Sequence, residues 1–315
     1  MQTSDTTRNM RIVFMGTPEF AVASLAALIA SRHQVVAVVT SPDKPAGRGQ
    51  KLQESAVKRY AASHQIPVLQ PQKLRDFDFI NTLKSFQADL QAVVAFRMLP
   101  EVVWNLPPKG TVNLHASLLP QYRGAAPINH AIINGESESG VTTFFLQHEI
   151  DTGNILFAEK VAIGPDDTAG MLHDKLMDVG AQLLVRTVDA IADGKARPVP
   201  QENLVNGALL KHAPKIFKTD CQIDWNRSIG AIYNLIRGLS PYPAAYTLLD
   251  GKMLKIFRAR KEYVDRSTVP GSMHTDGKTF LKFSGANGYI DVLELQIEGK
   301  KRMSVPEFLR GYRAE

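Results

Sequence analysis

The sequence predicts an α/β protein, with an N-terminal Rossmann-like, doubly wound, mostly parallel sheet followed by a smaller C-terminal OB-like β-barrel domain. Three observations carry that prediction. From residue 11 to about residue 194, short apolar runs of buried-strand type alternate with segments whose apolar residues recur at helical spacing. Beyond residue 210 the period changes, and one helix is followed by a series of short strands. The charge divides at the same place: residues 1–210 hold 19 Lys and Arg against 20 Asp and Glu, a balance of −1, whereas 211–315 hold 18 against 11, a balance of +7. The predicted division is a catalytic domain over 1–197, a linker over 198–210 rich in Pro and Asn, and a basic domain over 211–315.

Taken in order, residues 11–15 form a buried strand, 19–30 an Ala/Leu-rich helix and 35–39 a second strand, which is a βαβ opening. Gly16, Thr17 and Pro18 stand where a dinucleotide fingerprint would begin. The Gly-x-Gly-x-x-Gly pattern is absent, and Pro18 removes an N–H that a phosphate would use, so a nicotinamide cofactor is rejected. Residues 41–51 hold two prolines and two glycines and are expected to be an irregular exposed loop carrying Lys44, Arg48 and Lys51, fit either for an anionic partner or simply for solvent. Helices over 55–64 and 73–86 and strands over 67–69 and 90–96 continue the alternation. After a helix over 127–134 and a strand over 141–147, Asp166 to Thr168 cap a long helix that stops at Gly194. In the basic part, a helix over 229–237 precedes strands over 245–249, 254–258, 279–283 and 289–297 and a final helix over 305–310.

Composition bounds the chemistry. With 44% hydrophobic and 22% charged residues and no run of about 18 apolar residues, the chain reads as a soluble, cytoplasmic protein without a membrane segment. A single cysteine, Cys221, excludes an internal disulfide framework and a Cys-rich metal site. The basic C-terminal part suits a polyanionic partner, although a solubilising surface would look the same.

The rest of the chain is arranged around residues 111–127. Val112 and Leu114 on alternate positions mark the end of a strand, and a period of two then points Asn113 and His115 out of one face. An amide N–H can hold a developing oxyanion and an imidazole can move a proton, which together suit acyl transfer; a turn cap beside a hydrogen-bonded core histidine would give the same triplet. Asp151 follows the strand over 141–147, beside Gly153. Because ligands collect at the carboxyl ends of strands in open α/β folds, it is expected to share the site, against the plainer alternative of turn chemistry.

The segments around Gly16, the Pro-Ala-Gly-Arg-Gly loop over 45–49, the Asn113, His115, Ser117, Leu118, Leu119, Pro120 run, Arg123 to Ile128, Asp151 to Gly153, and Ile223 to Trp225 together resemble the methionyl-tRNA formyltransferase family over the whole chain. The resemblance implies transfer of a formyl group from 10-formyltetrahydrofolate to the α-amine of methionine on initiator tRNA, without a metal. It assigns catalysis to Asn113, His115 and Asp151, with Asp151 favouring the charged imidazole and helping to take the surplus proton. Folate binding falls to Ser117, Leu118, Leu119 and Pro120, and contact with tRNA to Lys44, Arg48 and Lys51. Residues 95–100 are one residue shorter than the family pattern, so no pterin contact is assigned there. A formyltransferase acting on an aminosugar nucleotide or a purine precursor shares the same chemistry but has no need of the basic barrel. A catalytically silent RNA-binding protein would have no reason to keep all three catalytic side chains. With no coiled-coil or swapping segment in view, a monomer is expected.

Overall fold

The computed structural model describes residues 9–46, 51–205, 207, 209–264 and 269–312. The chain forms two compact units. The first comprises residues 1–124, 140–161 and 174–212; the second comprises 125–139, 162–173 and 213–315.

The first unit opens with β1 (Arg11–Gly16), α1 (Glu19–Ala30) and β2 (Gln34–Val39). Next come a short ribbon of β3 (Lys44–Ala46) and β4 (Lys51–Gln53), then α2 (Ala56–Ser63), β5 (Val68–Leu69), α3 (Phe77–Ser85), β6 (Leu90–Val94), α4 (Glu101–Trp104) and β7 (Thr111–His115). Helix α5 (Pro127–Ile133) falls in the second unit, and β8 (Glu138–Phe145), β9 (Ile155–Ala162) and α6 (Ala169–Ala192) follow it in the chain. The seven-stranded sheet runs β5-β2-β1-β6-β7-β8-β9. It is parallel from β5 to β7, and β8 turns antiparallel to β7.

Both faces of this sheet are covered, so its strands need apolar residues at every position rather than at alternate ones. In β1, Ile12, Val13, Phe14 and Met15 are all fully buried. Val13 and Met15 pack with Val93, Phe79, Leu83 and Val103, which places α3 and α4 on one face. The turn from β1 into α1 is so close that a Cβ on Gly16 would stand 2.7 Å from that of Ala21. Helix α2 starts at Ser55, whose hydroxyl accepts from Lys58 N–H, and α3 starts at Asp76, whose carboxylate accepts from Phe79 N–H. The cap at Asp76 is why α3 begins later than the apolar spacing from residue 73 suggests.

Residues 41–51 are not wholly irregular: β3 and β4 pair antiparallel, with Pro45 opposite Leu52. A two-stranded ribbon is all edge, and an edge strand tolerates the N–H that proline lacks.

The second unit holds α7 (Ile229–Leu239), β10 (Ala245–Leu249), β11 (Lys252–Tyr263), β12 (Met273–Thr275), β13 (Leu281–Gly285), β14 (Gly288–Ile297), β15 (Met303–Ser304) and α8 (Val305–Leu309). Its sheet, β10-β11-β14-β13-β12 with β15 on β14, is antiparallel and curls as a half-barrel around the apolar sides of α7 and α8. The pairing of β11 with β14 slips around Arg258, a bulge of the kind that bends a strand. Ile229, Ile232 and Ile236 of α7 meet Leu254, Ile256, Ile290 and Leu295 in one core. No helix among the described residues is long and apolar enough to cross a membrane.

Candidate active site

Strand β7 ends at His115, and its pleat places Asn113 on the same face. The two differ in environment. His115 is 6% exposed, whereas Asn113 is half-buried and its amide has no hydrogen-bond partner among the described residues. The His115 Nε2 lies 2.9 Å from the carbonyl oxygen of Tyr122. A carbonyl only accepts, so Nε2 carries a proton and donates it there. Nδ1 is then the nitrogen left for chemistry, and it lies 3.8 Å from Asp151 Oδ2. The three side chains expected to act together are brought to one place.

They do not meet for the reason the strand pattern suggested. Strand β8 is antiparallel to β7, with Thr142 opposite His115 and Phe145 opposite Val112. The carboxyl end of β8 therefore lies beside Val112, not beside His115. Asp151 reaches the histidine because the loop after β8 folds back, with Phe145 N–H donating to Asn154 O at 3.1 Å. Gly153 presses against β8 so tightly that a Cβ there would fall 1.7 Å from Phe145 O. Asp151 itself has φ 55, the left-handed region that a residue with a Cβ occupies only when its surroundings hold it. Its Oδ2 also accepts from Gly124 N–H at 2.9 Å, which aims the carboxylate at the imidazole.

Of the residues expected along the folate, Ser117, Leu119 and Pro120 are buried and Leu118 is half-buried. The Ser117 hydroxyl donates to Gln121 O at 2.7 Å, and Thr142 Oγ1 donates to Ser117 O at 2.7 Å while accepting from Leu119 N–H at 3.2 Å. Leu119 packs with Phe144 and Ile155. This stretch sets the shape of the site through its backbone rather than through a free hydroxyl. In the shortened segment, Ala95 has φ 47, and Arg97 is turned to the carbonyls of Pro71 and Gln72. Of the expected tRNA contacts, Lys44 is exposed on β3 and Lys51 opens β4, and Arg48 lies outside the described residues.

Gln201 is the residue that sequence reasoning missed. It lies in the stretch expected to be a linker, starts a 3-10 turn (Gln201–Leu204) and is 2% exposed. Its Nε2 donates to the carbonyls of Asp151 and Gly153, and its Oε1 accepts from Arg123. No period or motif marks a lone Gln after two prolines.

A doubly wound sheet whose interior strand β7 carries an imidazole and an amide with no partner among the described residues, faced by a carboxylate from the loop after β8, suits group transfer, and the chain belongs to the formyl transferase family. That family's model matches residues 10–188, and the model of its C-terminal domain matches residues 215–313. Among the relatives, the methionyl-tRNA formyltransferase of Bacteroides fragilis is 54% identical over 309 residues, 96% of this chain and 95% of that protein. That of Phocaeicola vulgatus is 56% identical over 313 residues, 97% of each. Among solved structures, an N-formyltransferase from Helicobacter canadensis, in complex with folinic acid and dTDP-3-aminofucose, shares the fold at 20% identity, with a TM-score of 0.63 over 90% of this chain and 98% of that one.

Proposed function

We propose that this protein transfers the formyl group of 10-formyltetrahydrofolate to the α-amine of methionine on initiator methionyl-tRNA, in the cytoplasm and as a monomer. The observation that carries the chemistry is an Asn113 amide without a partner among the described residues, on the same face of β7 as an imidazole whose Nε2 is committed to Tyr122 O. That leaves Nδ1 facing Asp151. The identity of the acceptor rests on relatives of full length at more than half identity.

The donor is a substrate, and the residues present fit it. A half-buried amide without a partner among the described residues suits the formyl oxygen, and the turn over residues 117–120 offers the folate a surface on which the Ser117 hydroxyl and carbonyl are already engaged. The amine nitrogen attacks the formyl carbon, and the carbonyl electron pair moves onto oxygen. Asn113 Nδ2–H donates to that oxyanion, in a site where such a donor supplies several kcal/mol. A group held about 3 Å from both His115 Nδ1 and Asp151 can give its surplus proton to this pair. The bond from the carbon to folate N10 then breaks, N10 takes a proton, and the products are formyl-methionyl-tRNA and tetrahydrofolate. Lys44, Arg48 and Lys51 contact the acceptor end of the tRNA in this reading.

The test is a radiolabel transfer assay with 10-formyltetrahydrofolate and methionyl initiator tRNA, run beside methionyl elongator tRNA, free methionine and an aminosugar nucleotide. Formylation of the initiator species alone is the expected result, and its loss in His115→Ala assigns the imidazole. Transfer to the aminosugar nucleotide and to no tRNA would overturn the acceptor, and full turnover in His115→Ala would overturn the mechanism.

A further inference from the structure

We infer that Gln201 is a positioning residue for Asp151, acting from a segment outside the loop that carries the carboxylate. This rests on the proposal that Asp151 takes part in transfer. Strand direction alone leaves Asp151 in the wrong place, since β8 delivers its carboxyl end beside Val112. The loop after it has to fold back, and Asp151 has to hold φ 55, in the left-handed region that disfavours a residue with a Cβ. Something has to hold that turn.

The chain supplies the hold from outside the loop. Val199 and Ile155 exchange both backbone hydrogen bonds, each 2.8 Å, which sews residue 199 to the start of β9. Two residues on, Gln201 Nε2 donates to Asp151 O at 2.8 Å and to Gly153 O at 2.9 Å, so one amide spans the two carbonyls that flank the reversal. The orientation of that amide is not arbitrary. Its Oε1 faces two donors, Arg123 Nε at 3.0 Å and Nη2 at 2.6 Å, while its nitrogen faces two acceptors. A flipped amide would set donor against donor and acceptor against acceptor.

Arg123 therefore fixes Gln201, and Gln201 fixes the turn. The next residue, Gly124, donates its N–H to the Asp151 carboxylate. Backbone and side chain of Asp151 are thus clamped from one short stretch, and that stretch also follows Tyr122, whose carbonyl holds His115 Nε2. Both members of the proton-moving pair are referred to the same three residues. At 2% exposure Gln201 leaves little room for water to replace its amide.

The experiment compares wild type, Gln201→Ala, Gln201→Glu, Asp151→Asn and the Gln201→Ala, Asp151→Asn double variant in the full-length protein, with methionyl initiator tRNA and 10-formyltetrahydrofolate. Gln201→Ala is expected to lower kcat about 10- to 100-fold, the effect of a small misplacement of a reacting group. KM for either substrate should stay within about twofold, because Gln201 is none of the residues proposed to bind them. Gln201→Glu, which still accepts from Arg123 but has no donors for the two carbonyls, should lose as much as Gln201→Ala. In the Asp151→Asn background, Gln201→Ala should cause little further loss, since there is no carboxylate left to position. Unchanged kcat in both Gln201 variants, or a loss in the Asp151→Asn background equal to that in wild type, overturns the inference while leaving the role of Asp151 intact. Full turnover in Asp151→Asn itself overturns that role, and the inference with it.

Discussion

At His115 the two ring nitrogens face different oxygens, and that difference leaves only one of them open to a reacting group. Nε2 is committed to a buried carbonyl, so Nδ1 alone faces Asp151. Asn113 has the opposite condition, an amide with no protein partner among the described residues in a half-buried place. If it donates to the oxyanion, Asn113→Ala should lower kcat by about 10²- to 10³-fold, the usual cost of removing one such donor. Folate affinity, measured by equilibrium binding, should change little; a variant that binds folate poorly but turns over normally at saturation would assign Asn113 to ground-state binding instead. These two residues could be read from the sequence because a strand's period of two fixes which side chains share a face. The groups that hold His115 and the Asp151 turn could not. The Tyr122 carbonyl and Gln201 come from a loop and a short 3-10 turn, where no period relates sequence to direction.

Among the elements, β1, β2 and β6 were legible because a strand covered on both faces must be apolar throughout, and β7 because Val112 and Leu114 alternate with polar residues. The ribbon of β3 and β4 was hidden by prolines that forbid a central strand and permit an edge. Strand β9 was missed because residues 155–162 end in a partly exposed, charged stretch with no alternation. The ribbon gains a fixed base from Asp43, whose carboxylate takes Lys58 Nζ at 2.5 Å and Gln70 Nε2 at 2.7 Å. Lys58 first, and Gln70 second, hold the Asp43 carboxyl below its ordinary range. A carboxylate whose folded value is depressed contributes its tether above the unfolded value, and loses it as pH falls through the folded one. Asp43→Asn should therefore loosen the ribbon at neutral pH, seen as faster limited proteolysis over residues 44–53. It should raise KM for tRNA while leaving that for folate unchanged, if the ribbon presents Arg48. In wild type, the amide resonances of Lys44 and Gln53 should shift with pH only below the ordinary carboxylate range, and in the variant they should not. Equal proteolysis of the two proteins at neutral pH would show that the ribbon holds without the tether.

Over the whole molecule, charge is what separates this chain from a formyltransferase with a small-molecule acceptor. The catalytic chemistry needs none of the +7 carried by residues 211–315. A polyanion does, because each phosphate neutralised releases counterions and the affinity then falls with salt in proportion to the number of phosphates engaged. Arg302 is already engaged by the Glu294 carboxylate through two bonds of 2.7 and 2.6 Å, whereas Lys300 and Lys301 beside it are exposed. Surface lysines of this kind add little to folding stability, so their replacement should leave the thermal midpoint where it was. The Lys300→Gln, Lys301→Gln variant should bind methionyl initiator tRNA more weakly, with a log–log salt slope shallower by about 1 to 2, or about 0.7 to 0.9 for each phosphate that is no longer neutralised. At saturating tRNA its kcat should be that of wild type, because neither lysine belongs to the transfer site. An unchanged salt slope with wild-type affinity would mean that this corner of the basic surface serves solubility alone, and the phosphate-binding groups would then have to be sought among the remaining exposed cations of the half-barrel.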